Sequence, residues 1–143
     1  MVSRKIWPLY RPIEFSADGV GVAAVVAGLL GYVGYHLHEI PDAFCILWPT
    51  SPLRTPEMVR QMWYMFDNLK MPSFHSVTLD RIHDGTALFM RTATFLQRLS
   101  LDYRDGDPCF AMSPEFVCDV NTPEDLAEAE RRLLAREAAC PSS

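Results

Sequence analysis

The chain has 143 residues, 49% hydrophobic, 22% charged and 11% aromatic, which excludes intrinsic disorder and predicts one domain over residues 1–139 with a loose tail over 140–143. Its 13 basic and 18 acidic residues leave a net charge of −5, the wrong sign for wrapping a nucleic-acid backbone. Cys45, Cys109, Cys118 and Cys140 form no C-x-x-C pair and no zinc-ligand rhythm, so reduced thiols in a cytoplasmic protein are expected.

Residues 1–15 contain Pro8 and Pro12 and read as irregular. Asp18 stands as an N-cap for a helix running to about His38, closed by Pro41. Gly19 to Leu37 carries no formal charge, but it is rich in Ala, Val and Gly. Its start lies far from Met1, behind Arg4, Lys5, Arg11, Glu14 and Asp18. A buried, tightly packed helix is therefore expected, with no signal peptide and no membrane span. Ala43 to Trp48 is a continuous apolar run between Pro41 and Pro49, the pattern of a strand buried on both faces in a parallel sheet.

Thr55-Pro56-Glu57 has a hydroxyl at the cap, proline at the first helical position and a carboxylate in the first turn. The helix it opens places Met58, Met62, Met65, Phe66 and Leu69 on one face. Strands are predicted over Phe74–Leu79 and Thr86–Met90, then a short helix over Thr94–Leu101. Cys109–Met112 and Phe116–Cys118 are further strand candidates around Pro114. Thr122-Pro123-Glu124-Asp125 resembles a capping box with Asp125 in the reciprocal place. Leu126, Ala129, Leu133, Leu134 and Ala138 supply the apolar face of that last helix. Strands alternating with helices make a layered α/β domain.

Three segments have the chemistry of a site. Trp48 to Glu57 is a turn-rich loop between a strand and a capped helix, where open α/β sheets bind ligands. Thr50 and Ser51 offer hydroxyls and amides, and Arg54 offers a planar cation for phosphate or carboxylate. The same prolines also suit a merely rigid connection. Asp119 and Asn121, two apart in an extended segment, point the same way and suit either a shared Mg²⁺ or a simple turn into the helix. His83-Asp84-Gly85-Thr86 is a turn entering a strand, with Gly85 giving backbone freedom or room for a ligand. Gly19-Val20-Gly21 mimics a dinucleotide fingerprint but has no strand before it.

Together these segments resemble the cytidylyltransferases that make CMP-sialic acid and related CMP-nonulosonates. Ile46 to Glu57 is similar to that family's L-x-P-T-S-P-L-R-T-x-E segment, and Asp119 to Leu126 to its D-I-D-T-x-x-D-L ending. His83 to Leu88 resembles its N-G-A-I strand, and Arg11 to Asp18 its R-P-x-E-L-S-x-D stretch. The order and spacing agree from Tyr10 to Leu134.

The resemblance implies a glycosyltransferase-A-like α/β fold and transfer of CMP from CTP to a sugar acid, with pyrophosphate released and Mg²⁺ required. Carried over by position, Asp119 and Asn121 would be the catalytic and metal-holding pair. Arg11, Trp48, Thr50, Ser51, Arg54, Asp84 and Gly85 would contact nucleotide or sugar. Asn121 replaces an aspartate, keeping an oxygen and losing a charge, and related nucleotidyltransferases with an N-T-P-E-D-L ending share that change. Trp48 replaces a glutamine and Asp84 an asparagine, both in the sugar pocket.

The family's opening strand and its A-R-x-G-S-K phosphate loop have no counterpart here, since Ser3-Arg4-Lys5 has no glycine and no preceding strand. The resemblance thus implies a fold without its N-terminal strand, phosphate loop and helix. The strand at Ala43 would be left with a bare apolar edge, to be covered by a second copy, a complementing chain or a rearranged N-terminus. A non-catalytic nucleotide- or sugar-binding or structural subunit is the alternative expectation.

Overall fold

The computed structural model describes residues 9, 11–17, 19–80 and 82–139. The chain divides into two compact units, one formed by Met1–Pro41 with Leu99–Leu101, the other by Asp42–Arg98 with Asp102–Ser143.

In the first unit a 3-10 turn at Ile13–Phe15 precedes helix α1, Val22–Leu37. The expected cap Asp18 lies outside the described residues. The helix starts four residues later, with extended Gly21 at the N-cap, and ends at left-handed His38. Glycines let other groups approach its backbone: a Cβ at Gly28 would lie 3.4 Å from the Phe15 ring, and one at Gly34 would lie 3.0 Å from Ile40. The expectation of a buried helix is corrected. Only Val26 and Leu30 are buried on α1, while Val22, Leu29, Tyr32, Tyr35 and Leu37 are exposed. An all-round apolar sequence exceeds what one short turn such as Ile13–Phe15 can cover. No helix among the described residues is long and apolar enough to cross a membrane.

The second unit is a mixed α/β layer. Strands β1 (Ala43–Ile46), β2 (Ser73–Val77), β3 (His83–Arg91) and β4 (Cys109–Ala111) form one sheet in the order β1-β3-β2-β4. Helix α2 (Pro56–Asn68) follows β1, α3 (Thr92–Arg98) follows β3 and α4 (Pro123–Ala139) follows β4, while β2 leads directly to β3. β3 is antiparallel to both neighbours, with Cys45 opposite Phe89 and Phe74 opposite Phe89 on the other side. β2 and β4 are parallel, His75 beside Cys109.

β1 therefore departs from expectation. It is an antiparallel edge strand, half-buried at Ala43, Phe44 and Ile46 and exposed at Cys45, and it pairs only with β3 among the described strands. An apolar run fixes neither the direction of its partner nor the number of neighbours that cover it, both of which distant segments supply. The interior strands are β2, buried at every position, and β3, buried from Thr86 to Met90.

One core cluster joins Met62 and Phe66 of α2 to Phe74, Ala87 and Phe89 of the sheet. Alternation along β3 sends Leu88 and Met90 to the opposite face, where they too are fully buried. On α2 the buried stripe is Met62 and Phe66 with Val59 against them; Met65 is at the surface and Leu69, at the C-cap, is largely exposed. Thr55 caps α2 as expected, its Oγ1 accepting from Met58 N at 3.3 Å.

The Phe116–Cys118 strand is not formed. Pro114–Phe116 is a 3-10 turn, because Pro114 fixes its own φ and Val117 N donates to the Pro114 carbonyl at 3.2 Å. On α4 only Ala129 is buried, and Leu126 and Leu134 are exposed. The remaining thiols Cys45, Cys109 and Cys118 are free.

Candidate functional site

Three segments of the second unit meet at the ends of β1 and β3. Local backbone chemistry shapes each one. After β1, Pro49 and Pro52 restrict the chain and Ser51 N donates to the Trp48 carbonyl at 3.2 Å, closing a tight turn. At the start of β3, Gly85 takes φ +72°, a conformation favouring glycine. Before α4, Asp125 Oδ2 accepts from Asn121 N, Thr122 N and Thr122 Oγ1 at 3.1, 2.9 and 2.9 Å, while Thr122 Oγ1 accepts from Asp125 N at 3.2 Å. That is the reciprocal capping expected of Thr122 and Asp125.

The turn after β1 is tied to both other segments. Ser51 is buried and its Oγ donates to the Asp84 carbonyl at 3.2 Å. A Cβ at Gly85 would lie 3.1 Å from Ser51 Oγ and 3.9 Å from Trp48 Cβ, so these residues touch only because position 85 is glycine. On the other side Val120 N donates to the Thr50 carbonyl at 2.8 Å. Thr50, Ser51, Trp48, Asp84, Gly85 and the Asp119–Asn121 segment are thus neighbours. Arg11 belongs to the first unit and is exposed.

The side chains divide into committed and open groups. Arg54 is half-buried and donates through Nη1 to the Thr86 carbonyl at 3.1 Å. Burial lowers its pKa from the ordinary guanidinium value, with the Cys45 thiol opposing. Burial pushes the Cys45 thiol up to about 12, Arg54 drawing it back. Cys45 nonetheless keeps exposed surface; surface area governs which reagent reaches the sulfur, and the crowding around it favours the neutral thiol.

Asp84 is buried, its Oδ1 accepting from Thr86 N at 3.0 Å and from Ser76 Oγ in a shorter contact. Ser76 lies where the β2–β3 register shifts between His75 and Val77. Its hydroxyl takes the proton of Ala87 N at 2.8 Å, replacing a ladder bond at the irregularity. Asp119 and Asn121 are exposed, and Asn121 Nδ2 donates to Asp119 Oδ2 at 2.9 Å, so the two side chains meet.

Among the described residues no group of three or more His, Cys, Asp or Glu side chains is gathered for a metal. One carboxylate and one amide oxygen fit Mg²⁺ only in the way that ion is held beside nucleotides, with waters and substrate phosphates completing the shell. As the side chains stand, Asn121 turns its Nδ2 and not its amide oxygen toward Asp119 Oδ2, so the pair is not an all-protein cage.

Two anchors were not read from the sequence. Ser76, a buried hydroxyl of β2, fixes the Asp84 carboxylate. Arg136 of α4 donates through Nη1 to the Leu53 carbonyl and through Nη2 to the Glu115 carbonyl, both at 2.9 Å, with its guanidinium 4.4 Å from the Phe116 ring centre. The hydroxyl of Ser76 was a visible signal; nothing local marks Arg136, whose partner lies far away in sequence. No protein-family model matches the chain, and no curated protein matches it.

Proposed function

We propose that this chain is the distal part of a glycosyltransferase-A-like nucleotidyltransferase, transferring CMP from CTP to a nonulosonate-type sugar acid in the cytoplasm. The observation that carries the reading is the hydrogen bond from Val120 N to the Thr50 carbonyl at 2.8 Å, which draws the Asp119–Asn121 segment to the turn after β1. These are two of the segments on which the resemblance rests, and Ser51 joins them to the third at Asp84 and Gly85. The mixed sheet is compatible with an α/β fold class, and β1 lies at the edge of the described sheet.

In this reading a hydroxyl oxygen of the sugar acid attacks the α-phosphorus of CTP. A new P–O bond forms, the α–β phosphoanhydride bond breaks and pyrophosphate leaves. Thr50 and the backbone of the turn orient the nucleotide, and Trp48, Asp84 and Gly85 border the acceptor. Asp119 and Asn121 would hold Mg²⁺, which supplies charge neutralisation at the phosphates. Transfer of this kind depends on positioning and electrostatics. A Gly-rich phosphate loop from a complementing chain completes the site, and the β1 edge is where such a chain, or a second copy, adds to the sheet.

The test is pyrophosphate release from CTP in the presence of sugar acid, Mg²⁺ and candidate partners. Asp119→Ala abolishes it without unfolding the chain; no release by the wild type in any pairing overturns the enzymatic reading.

A second reading, a non-catalytic nucleotide- or sugar-binding subunit, is favoured by Arg54, whose guanidinium is already engaged by the Thr86 carbonyl. Its mark is stabilisation without turnover: a ligand at 100 times its Kd raises stability by about 2.7 kcal/mol.

A further inference from the structure

Two polar atoms at the start of β3 have no hydrogen-bond partner among the described residues, Asp84 Oδ2 and Thr86 Oγ1. Asp84 is 7% exposed and Thr86 1%. A buried carboxylate oxygen or hydroxyl without a partner is unfavourable. The two residues flank Gly85 and are joined by the bond from Thr86 N to Asp84 Oδ1 at 3.0 Å, which keeps them side by side. Their neighbours add to the demand. Asp84 Oδ1 is already engaged by Thr86 N and Ser76 Oγ, and Ser51 Oγ donates its proton to the Asp84 carbonyl. What Asp84 Oδ2 and Ser51 Oγ offer is lone pairs, and the Thr86 hydroxyl rotates to present its own.

We propose that Asp84 and Thr86, with Ser51 beside them, form the seat for a primary ammonium group carried by the acceptor substrate. An ammonium has three donors and no acceptor, and its charge-assisted bond to Asp84 Oδ2 offsets a buried negative charge. A carbonyl, carboxylate or phosphate oxygen brings no proton to these atoms, and a neutral hydroxyl leaves the carboxylate charge uncompensated. The approach runs past Gly85, half-exposed and bordered by Trp48 Cβ, where any side chain would press on Ser51 Oγ. Entry takes a shift of the turn at Ser51, against its hydrogen bonds to the Asp84 and Trp48 carbonyls and the bond from Val120 N to Thr50. The seat stands on these contacts; that its amine belongs to an acceptor for CMP rests on the nucleotidyltransferase reading.

The test uses the full chain and three matched probes: glucosamine, which carries the ammonium, N-acetylglucosamine, which caps it, and glucose, which replaces it with hydroxyl. Binding is measured by calorimetry, with CTP and Mg²⁺ as a separate arm. The wild type prefers glucosamine by about tenfold over the other two. Asp84→Asn keeps the acceptor for Thr86 N and erases the preference. Thr86→Val weakens glucosamine severalfold and leaves Tm unchanged or higher, because it removes a hydroxyl that has no partner. Equal or absent binding of the three probes overturns the proposal. So does a fall in Tm of more than about 4 °C in Thr86→Val, which marks a hydroxyl satisfied within the fold. CTP binding without the amine preference sinks the seat and spares the nucleotide reading; the preference without CTP binding does the reverse.

Discussion

Asp84 and Asp119 flank the same turn and are held in opposite ways. Asp84 is buried, gripped through Oδ1 by Ser76 and Thr86, and rooted in an interior strand. Asp119 is exposed, meets only the Asn121 side chain among its described hydrogen-bond partners, and lies on a connection between a 3-10 turn and α4. The difference teaches which half is prepared in advance. The Asp84 side is a buried wall fixed by its own hydrogen bonds, whereas the Asp119 side presents an accessible carboxylate.

The sharpest way to break this comparison is stability. Asp84→Ala leaves the buried Thr86 amide without its acceptor and lowers stability by about 2 kcal/mol in urea denaturation. An unchanged midpoint shows that the wall is not built as described. Arg136→Ala removes the bonds to the Leu53 and Glu115 carbonyls and the contact with the Phe116 ring, a loss of about 1.5 kcal/mol. The same variant loosens the turn after β1, seen as faster amide exchange at Ser51. Gly85→Ala meets a positive φ and a Ser51 Oγ at 3.1 Å and loses about 1 kcal/mol. Asp119→Ala changes stability by no more than about 0.5 kcal/mol, since nothing buried depends on it.

Acid sharpens the contrast further. Hydrogen bonds from the Asn121 amide, the Thr122 hydroxyl and the Thr122 amide hold the Asp125 carboxyl below the usual carboxylate range. A depressed folded pKa contributes stability that is present above the unfolded value, about 3.9, and is lost as pH falls through the folded one. Amides 121–125 therefore lose exchange protection on acidification, while those of β3 keep theirs. Asp125→Asn removes this pH dependence; equal loss in both places contradicts the two-sided description.

What the sequence made legible was local. Thr55-Pro56 and Thr122-Pro123 start helices because a cap and its partner lie within one turn of each other. The strand expected over Thr86–Met90 lies within β3, His83–Arg91. The misreadings involved distant partners. Ala43–Trp48 is apolar whether its neighbour is parallel or antiparallel, and β3 is the neighbour that decides. Leu126 and Leu134 share the period of a buried face, yet remain exposed on α4. At the site, the hydroxyls, Gly85 and carboxylates were visible as types, but the meeting of Thr50 with Val120 and the clamp of Arg136 on Leu53 are long-range events that no local pattern records.

The central claim is that the turn after β1 and the Asp119 segment receive one metal-bound nucleotide together. An NMR titration of the full chain with CTP and Mg²⁺ tests it most directly. The account predicts saturable shifts at the amides of Thr50, Ser51, Val120 and Asn121, abolished in Asp119→Ala while that variant stays folded. Shifts confined to other surfaces, or none at all, would contradict it.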